Sequence, residues 1–135
     1  MSDSERDANR LVAAARAARE HAIAPFSGFR VGAALLAADG RIVTGCNIEN
    51  ASYGLTMCAE RVALFAALSG GIRAFRHVAV VADTAAPTAP CGACRQLLWE
   101  FCGDVPVVLA NLTTTLATHR MADLLPHPFD GRQLG

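Results

Sequence analysis

Residues 31–36 read Val-Gly-Ala-Ala-Leu-Leu, and residues 78–82 read Val-Ala-Val-Val-Ala, with no polar side chain at either odd or even positions. Successive side chains of a strand point to opposite faces of its sheet, so a strand apolar at both parities must be covered on both sides. Helices on each face of a sheet satisfy that demand. Three helical segments are available. Residues 4–23 place Leu11, Val12, Ala15, Ala18 and Ala22 at helical spacing until Pro25 interrupts the pattern. Residues 58–68 carry Ala63, Leu64, Ala67 and Leu68 on one stripe closed by Gly70-Gly71, with the start expected at Thr56 or Met57. Residues 95–101 form the third, ending at Gly103.

The Asp39-Gly40 pair signals a hairpin joining 31–36 to a returning strand at 41–45. Residues 105–110 form a further strand, and only residues 111–115 separate it from a last strand near 116–118. A parallel crossover needs a dozen or more residues, so these last two strands pair antiparallel. Residues 121–125 suit a short helix, and 126–135 carry too little pattern to assign. The expected fold is an α/β three-layer αβα sandwich on a five-stranded mixed sheet, formed as one domain over residues 1–135.

A chain of 135 residues buries roughly two thirds of its unfolded surface, so no metal is needed merely to hold it together. Twelve arginines balance twelve acidic residues, which leaves no excess positive charge to follow a phosphate backbone and argues against a nucleic-acid partner. Residues 1–10 are polar rather than leader-like, and no apolar run reaches the ~18 residues of a membrane span, so the expected setting is the cytoplasm, away from membranes. Five cysteines make an odd number, and in a reducing compartment thiols serve metal binding or redox chemistry more readily than disulfides.

Cys91-Gly92-Ala93-Cys94 lies at the start of one expected helix and Cys58 at the start of another. Helix N-termini favour anions, which eases formation of the thiolates that bind metal, and soft sulfur ligands select zinc. Three ligands leave a coordination position for water, as catalytic zinc sites do. Glu60 follows Cys58 by two residues, near enough to accept a proton from such a water. Cys46 and Cys102 read as small apolar packing residues. A closed four-cysteine site completed by one of them stays open, as does a redox C-x-x-C pair.

A His or Cys followed two residues later by Glu, with a downstream P-C-x-x-C, is the zinc deaminase signature, and Cys58-Ala59-Glu60 and Pro90-Cys91-Gly92-Ala93-Cys94 meet it. With Phe29-Arg30-Val31-Gly32-Ala33-Ala34-Leu35 and Gly45-Cys46-Asn47-Ile48-Glu49-Asn50-Ala51-Ser52-Tyr53, these segments resemble the small homotetrameric zinc-dependent cytidine deaminases from about Leu11 to Phe129. The resemblance implies hydrolytic deamination of cytidine and deoxycytidine, a pyrimidine nucleoside as substrate, one Zn2+ per chain and a homotetramer. It implies Cys58, Cys91 and Cys94 as zinc ligands, Glu60 as proton shuttle and Arg61 as a hydrogen-bond donor to the ligating sulfurs. It places Asn47 and Glu49 at the ribose 3′-hydroxyl, backbone groups at Ala59 on the base, and Phe29 against the pyrimidine. Tyr53 and Phe129 are implied to reach across subunit interfaces. Phe26 stands where many relatives carry tyrosine, and residues 109–120 depart most from the family pattern.

Two other readings share parts of this pattern. A deaminase of a cytosine-containing antibiotic of the blasticidin S type has the zinc motifs, though Asn47-Ile48-Glu49-Asn50-Ala51 speaks for a nucleoside. A non-catalytic zinc-stabilised binding module needs a fourth protein ligand and leaves Glu60 without a task. His77, ahead of a strand, and His21, His119 and His127, in helix-end or loop contexts, are expected to be structural or surface residues.

Overall fold

The computed structural model describes residues 1–134; Gly135, the end of the unassigned tail, lies outside the described residues. Helix α1 spans Asp3–Arg19 and is opened by Ser2, whose hydroxyl accepts from the Glu5 N–H while Glu5 reaches back to the Ser2 N–H. That reciprocal cap satisfies two of the donors a helix start leaves free. The buried stripe of α1 is Leu11, Val12, Ala15 and Ala18. Ala22 is not on it. The helix ends four residues before the expected 23, because Glu20, His21 and Ala22 N–H groups bond to carbonyls three residues back and tighten the last turn.

Strands β1 (Val31–Ala37), β2 (Ile42–Cys46), β3 (Phe75–Ala82), β4 (Pro106–Ala110) and β5 (Thr115–Arg120) form one sheet in the order β2-β1-β3-β4-β5. Only β3 and β4 are parallel; the other neighbours, including the last two strands, run antiparallel. Helices α2 (Ala59–Ser69), α3 (Gly92–Cys102) and α4 (Met121–Leu124) complete the described elements, with short 3-10 turns at Tyr53–Leu55 and Gly131–Leu134.

Strand parity divides the core. Ala34, Leu36, Ala79, Val81, Val108 and Ala110 pack with Leu11, Val12 and Ala15 of α1. Ala33, Leu35, Val78, Val80, Val107 and Leu109 pack with Ala63 and Leu64 of α2, Leu98 of α3 and Met121 of α4. These side chains are essentially removed from water, each fully buried valine, leucine or methionine contributing about 1.5–3 kcal/mol and each alanine less. The αβα layering expected from the two-sided apolar strands is what the chain adopts.

Two glycines set how closely helices approach. A Cβ on Gly32 of β1 would lie 2.0 Å from the Ala15 carbonyl oxygen of α1, and one on Gly45 of β2 would lie 2.5 Å from the Ala63 nitrogen of α2. The missing side chains let the helix backbones rest directly on the strands. Gly45 matters for function because α2 carries Cys58 at its start.

Several boundaries differ from expectation. Helix α2 begins at Ala59, with Cys58 as its extended N-cap, rather than at Thr56 or Met57. Met57 is held in extended form by a pair of backbone hydrogen bonds with Ile48, at 2.9 and 3.0 Å. Helix α3 starts at Gly92, three residues before 95. Strand β5 covers Thr115–Arg120, so His119 lies on a strand and not in a loop. Strand β3 begins at Phe75, which puts His77 inside it, 4% exposed, opposite Leu36. The tail docks through the Trp99 Nε1–H donating to Asp130 Oδ2 at 2.9 Å. Among the described residues, no helix is long and apolar enough to cross a membrane.

The end of β2, the end of β3 and the start of β1 lie at one edge of the sheet, since Gly32 pairs with Cys46 and Val31 with Ala82. Helices α2 and α3 both begin beyond that edge, the position where open α/β sheets bind ligands.

Candidate metal and substrate site

Cys58 and Cys91 are the N-caps of α2 and α3, and Cys94 lies in the first turn of α3. Neither N-cap side chain bonds to its own helix, unlike Ser2 on α1, so the first-turn N–H groups are left to act on the thiols. The three Sγ atoms lie within 4.8 Å of one another, and Cys58 and Cys91 are 3.8 Å apart. A tetrahedral ion with Zn–S near 2.3 Å requires sulfurs about 3.8 Å apart. The donor set and its spacing therefore fit zinc. No fourth Cys, His, Asp or Glu among the described residues joins this group, which excludes Cys46 and Cys102 as a closing ligand.

Charge is shared unequally within the cluster. The Cys58 thiol is drawn down to about 5 by its hydrogen bond with Cys94, helped by Arg61, whose Nη2 donates to Cys58 Sγ at 3.4 Å. The same bond, with burial, pushes Cys94 well above the usual thiol range. Glu60, on the first turn of α2, is 5% exposed, and burial lifts its carboxyl, with the negative charge at Cys58 adding to the effect. Cys102 packs at the edge of the core, where burial pushes its thiol up to about 12.

A cavity of about 200 Å³ opens beside the cluster, lined by Cys58, Ala59, Glu60 and Cys91 together with Phe29, Val31 and Asn47. Thr56, Met57, Val80, Thr88 and Ala89 complete its wall. An outer groove of about 390 Å³ shares Thr56 with the cavity and is lined by Phe26, Ser27, Glu49 and Tyr53.

Residues 5–110 match the cytidine and deoxycytidylate deaminase zinc-binding region. The chain belongs to this family. It is 53% identical to a cytidine deaminase of Sporosarcina psychrophila over 95% of each chain, and 50% identical to one of Halalkalibacterium halodurans over 95% of this chain and 98% of that one. A crystal structure of cytidine deaminase from Burkholderia pseudomallei is 49% identical and superposes with a TM-score of 0.86, covering 96% of this chain and all of the other.

Of the residues expected to serve a deaminase site, Phe29, Asn47, Cys58, Ala59, Glu60 and Cys91 share the cavity, and Cys94 lies behind it at full burial. Glu49 and Tyr53 border the outer groove instead. Phe129 borders neither; the residue is 58% exposed, and its carbonyl accepts from Gln96 Nε2 of α3. Asn47 holds the loop before β1, its Oδ1 accepting from the Val31 N–H at 2.8 Å and its Nδ2 donating to the Phe29 carbonyl at 2.7 Å. Glu49 Oε1 accepts from the Phe26 and Ser27 N–H groups at 3.0 and 3.1 Å, and Ser27 first, through its hydroxyl, keeps that carboxyl below its ordinary range. Sequence reasoning missed the wall residues Thr56, Met57, Thr88 and Ala89. They carry no chemical signature, and only the convergence of the chain at the sheet edge puts them there.

Proposed function

We propose that this protein hydrolyses cytidine and 2′-deoxycytidine to uridine and 2′-deoxyuridine with release of ammonia, in cytoplasmic pyrimidine salvage. What carries the reading is the three-sulfur cluster at two helix starts with the buried carboxyl of Glu60 in the same cavity wall. Cys58, Cys91 and Cys94 would hold zinc, which, when bound, supplies hydroxide at neutral pH by acidifying water.

The chain's own residues account for the rest. As water adds its oxygen to C4, Glu60 takes one of its protons and passes it to N3 of the pyrimidine; it then moves the remaining proton from the new C4 hydroxyl to the amino group, so that the C4–N bond breaks, the oxygen stays as the uracil carbonyl and ammonia leaves. A carboxyl whose affinity for protons is raised by burial suits both directions of transfer. Three thiolates around a divalent ion leave one excess negative charge, and Arg61, donating to Cys58 Sγ at 3.4 Å, offsets it. Phe29 lies along the pyrimidine, and the Ala59 backbone orients the base. Asn47 and Glu49 meet the ribose 3′-hydroxyl; an amide oxygen and a carboxylate each have lone pairs beyond those the loop occupies. Tyr53 and Phe129, exposed in a single chain, reach neighbouring sites in a homotetramer.

Purified protein incubated with cytidine is expected to lower near-ultraviolet absorbance and release one ammonia per uridine formed, with deoxycytidine also consumed. Blasticidin S and a cytosine-containing oligonucleotide serve as competitors. Faster turnover of either than of cytidine would replace the nucleoside reading.

A further inference from the structure

We propose that Ser27 is a positioning residue that ties the two substrate-facing walls together. Its hydroxyl donates to Glu49 Oε2, in the outer groove, and accepts from the Phe29 N–H at 3.0 Å, in the cavity wall. One oxygen thus joins a carboxylate lining one pocket to the backbone of an aromatic residue lining the other. This deepens the deaminase reading above and rests on it.

The loop needs such a link because, within one chain, packing holds it only through the Phe26 ring set edge-on against Tyr53, 5.2 Å between centroids. Phe26 and Phe29 are 51% and 43% exposed, and Ser27 and Gly28 are exposed as well. Gly28, with φ +69, turns the chain between Ser27 and Phe29 and has open space around its Cα. Glu49 gathers the Phe26 N–H, the Ser27 N–H and the Ser27 hydroxyl, while Asn47 grips the Phe29 carbonyl and the Val31 N–H from the other side. Without the Ser27 hydroxyl, the Phe29 N–H loses its acceptor and Glu49 loses one of three donors. Asn47 then holds only the downstream half of the loop. Glu60 and the thiols ride on α2 and α3, whose inner faces are held by the core, so the consequence falls on substrate binding and not on the chemical step.

Steady-state kinetics on Ser27→Ala are expected to show KM for cytidine raised about tenfold with kcat within about twofold, the loss of a hydrogen bond to a charged group. Ser27→Thr, which keeps the hydroxyl, should restore KM. In a Glu49→Gln background the serine substitution should raise KM by less than about threefold further, because the two changes break one link. Amide hydrogen exchange at Phe29, which needs no substrate, should quicken in Ser27→Ala and slow again in Ser27→Thr. Unaltered KM, a threonine variant as impaired as the alanine one, or a Phe29 amide that exchanges freely in the wild type would each overturn the proposal. If the wild type leaves cytidine untouched, the deaminase reading fails on its own, and the exchange measurement still decides whether Ser27 fixes Phe29.

Discussion

Glu60, Cys58 and Cys94 sit at the starts of helices whose inner faces are packed against the sheet, whereas Phe29, Glu49 and Tyr53 sit on loops that water reaches and hydrogen bonds hold. The thiol corner, where Cys94 is buried and Cys91 exposed, is held through the buried inner faces of α2 and α3 and by a glycine contact between β2 and α2. The loop rim is fixed by side-chain hydrogen bonds of Asn47, Glu49 and Ser27 that span more than fifteen positions of sequence. The difference assigns the two regions different work. In the proposed reaction the packed corner serves proton transfer, which depends on hydrogen-bond geometry, and the exposed rim serves recognition.

The sharpest way to break this contrast is Glu60→Gln, which preserves shape and removes the proton acceptor. Zinc content should stay at one per chain while kcat falls by about 10²–10⁴. Turnover near the wild-type rate would remove Glu60 from the chemistry. Gly45→Ala asks whether the corner depends on the helix contact. The added Cβ meets Ala63 N at 2.5 Å and Ala59 O at 2.6 Å, so α2 must move, at a cost of about 1–3 kcal/mol. A lower Tm together with reduced kcat is expected; a lower Tm with unchanged kcat would show that Glu60 tolerates displacement.

Asn47→Ala tests the rim. Removing the amide frees both the Phe29 carbonyl and the Val31 N–H, and KM should rise about tenfold with a much smaller change in kcat. The smallest effect is expected far from both regions, at His77. Its Nε2 is buried without a partner among the described residues, and burial holds its imidazole pKa below the ordinary value despite the pull of Asp7. The unfolded chain takes up that proton near pH 6.5 while the folded chain resists it, so stability is full above that pH and declines as pH falls toward the lowered folded value. His77→Leu should flatten that acid-side decline, read as a smaller difference between urea midpoints at pH 7.5 and 5.5 than in the wild type, with cytidine turnover at pH 7.5 unchanged.

The legible parts of this protein are those written locally. Cys91 and Cys94 announce themselves by spacing, and Cys58-Ala59-Glu60 by sequence alone, because helix starts impose the same geometry wherever they occur. The two-sided apolar strands dictate helices on both faces, and the chain complies. What escaped notice depends on distant pairing. The true start of α2 is decided by Ile48 binding Met57, and the extent of β5 is masked by its mostly exposed, polar side chains. His77 was misplaced because β3 begins with the half-buried Phe75 and the exposed Arg76 rather than with its continuous apolar run. Ser27 carries no sign of its task, since its partner Glu49 lies 22 positions away.

X-ray absorption at the zinc edge of the purified protein examines the thiol corner most directly. The expected spectrum has three sulfurs near 2.3 Å and one lighter oxygen-type scatterer per zinc. Four sulfurs, or two, would mean that Cys58, Cys91 and Cys94 do not form an open site beside Glu60, and the account of this protein as a hydrolytic deaminase would be contradicted.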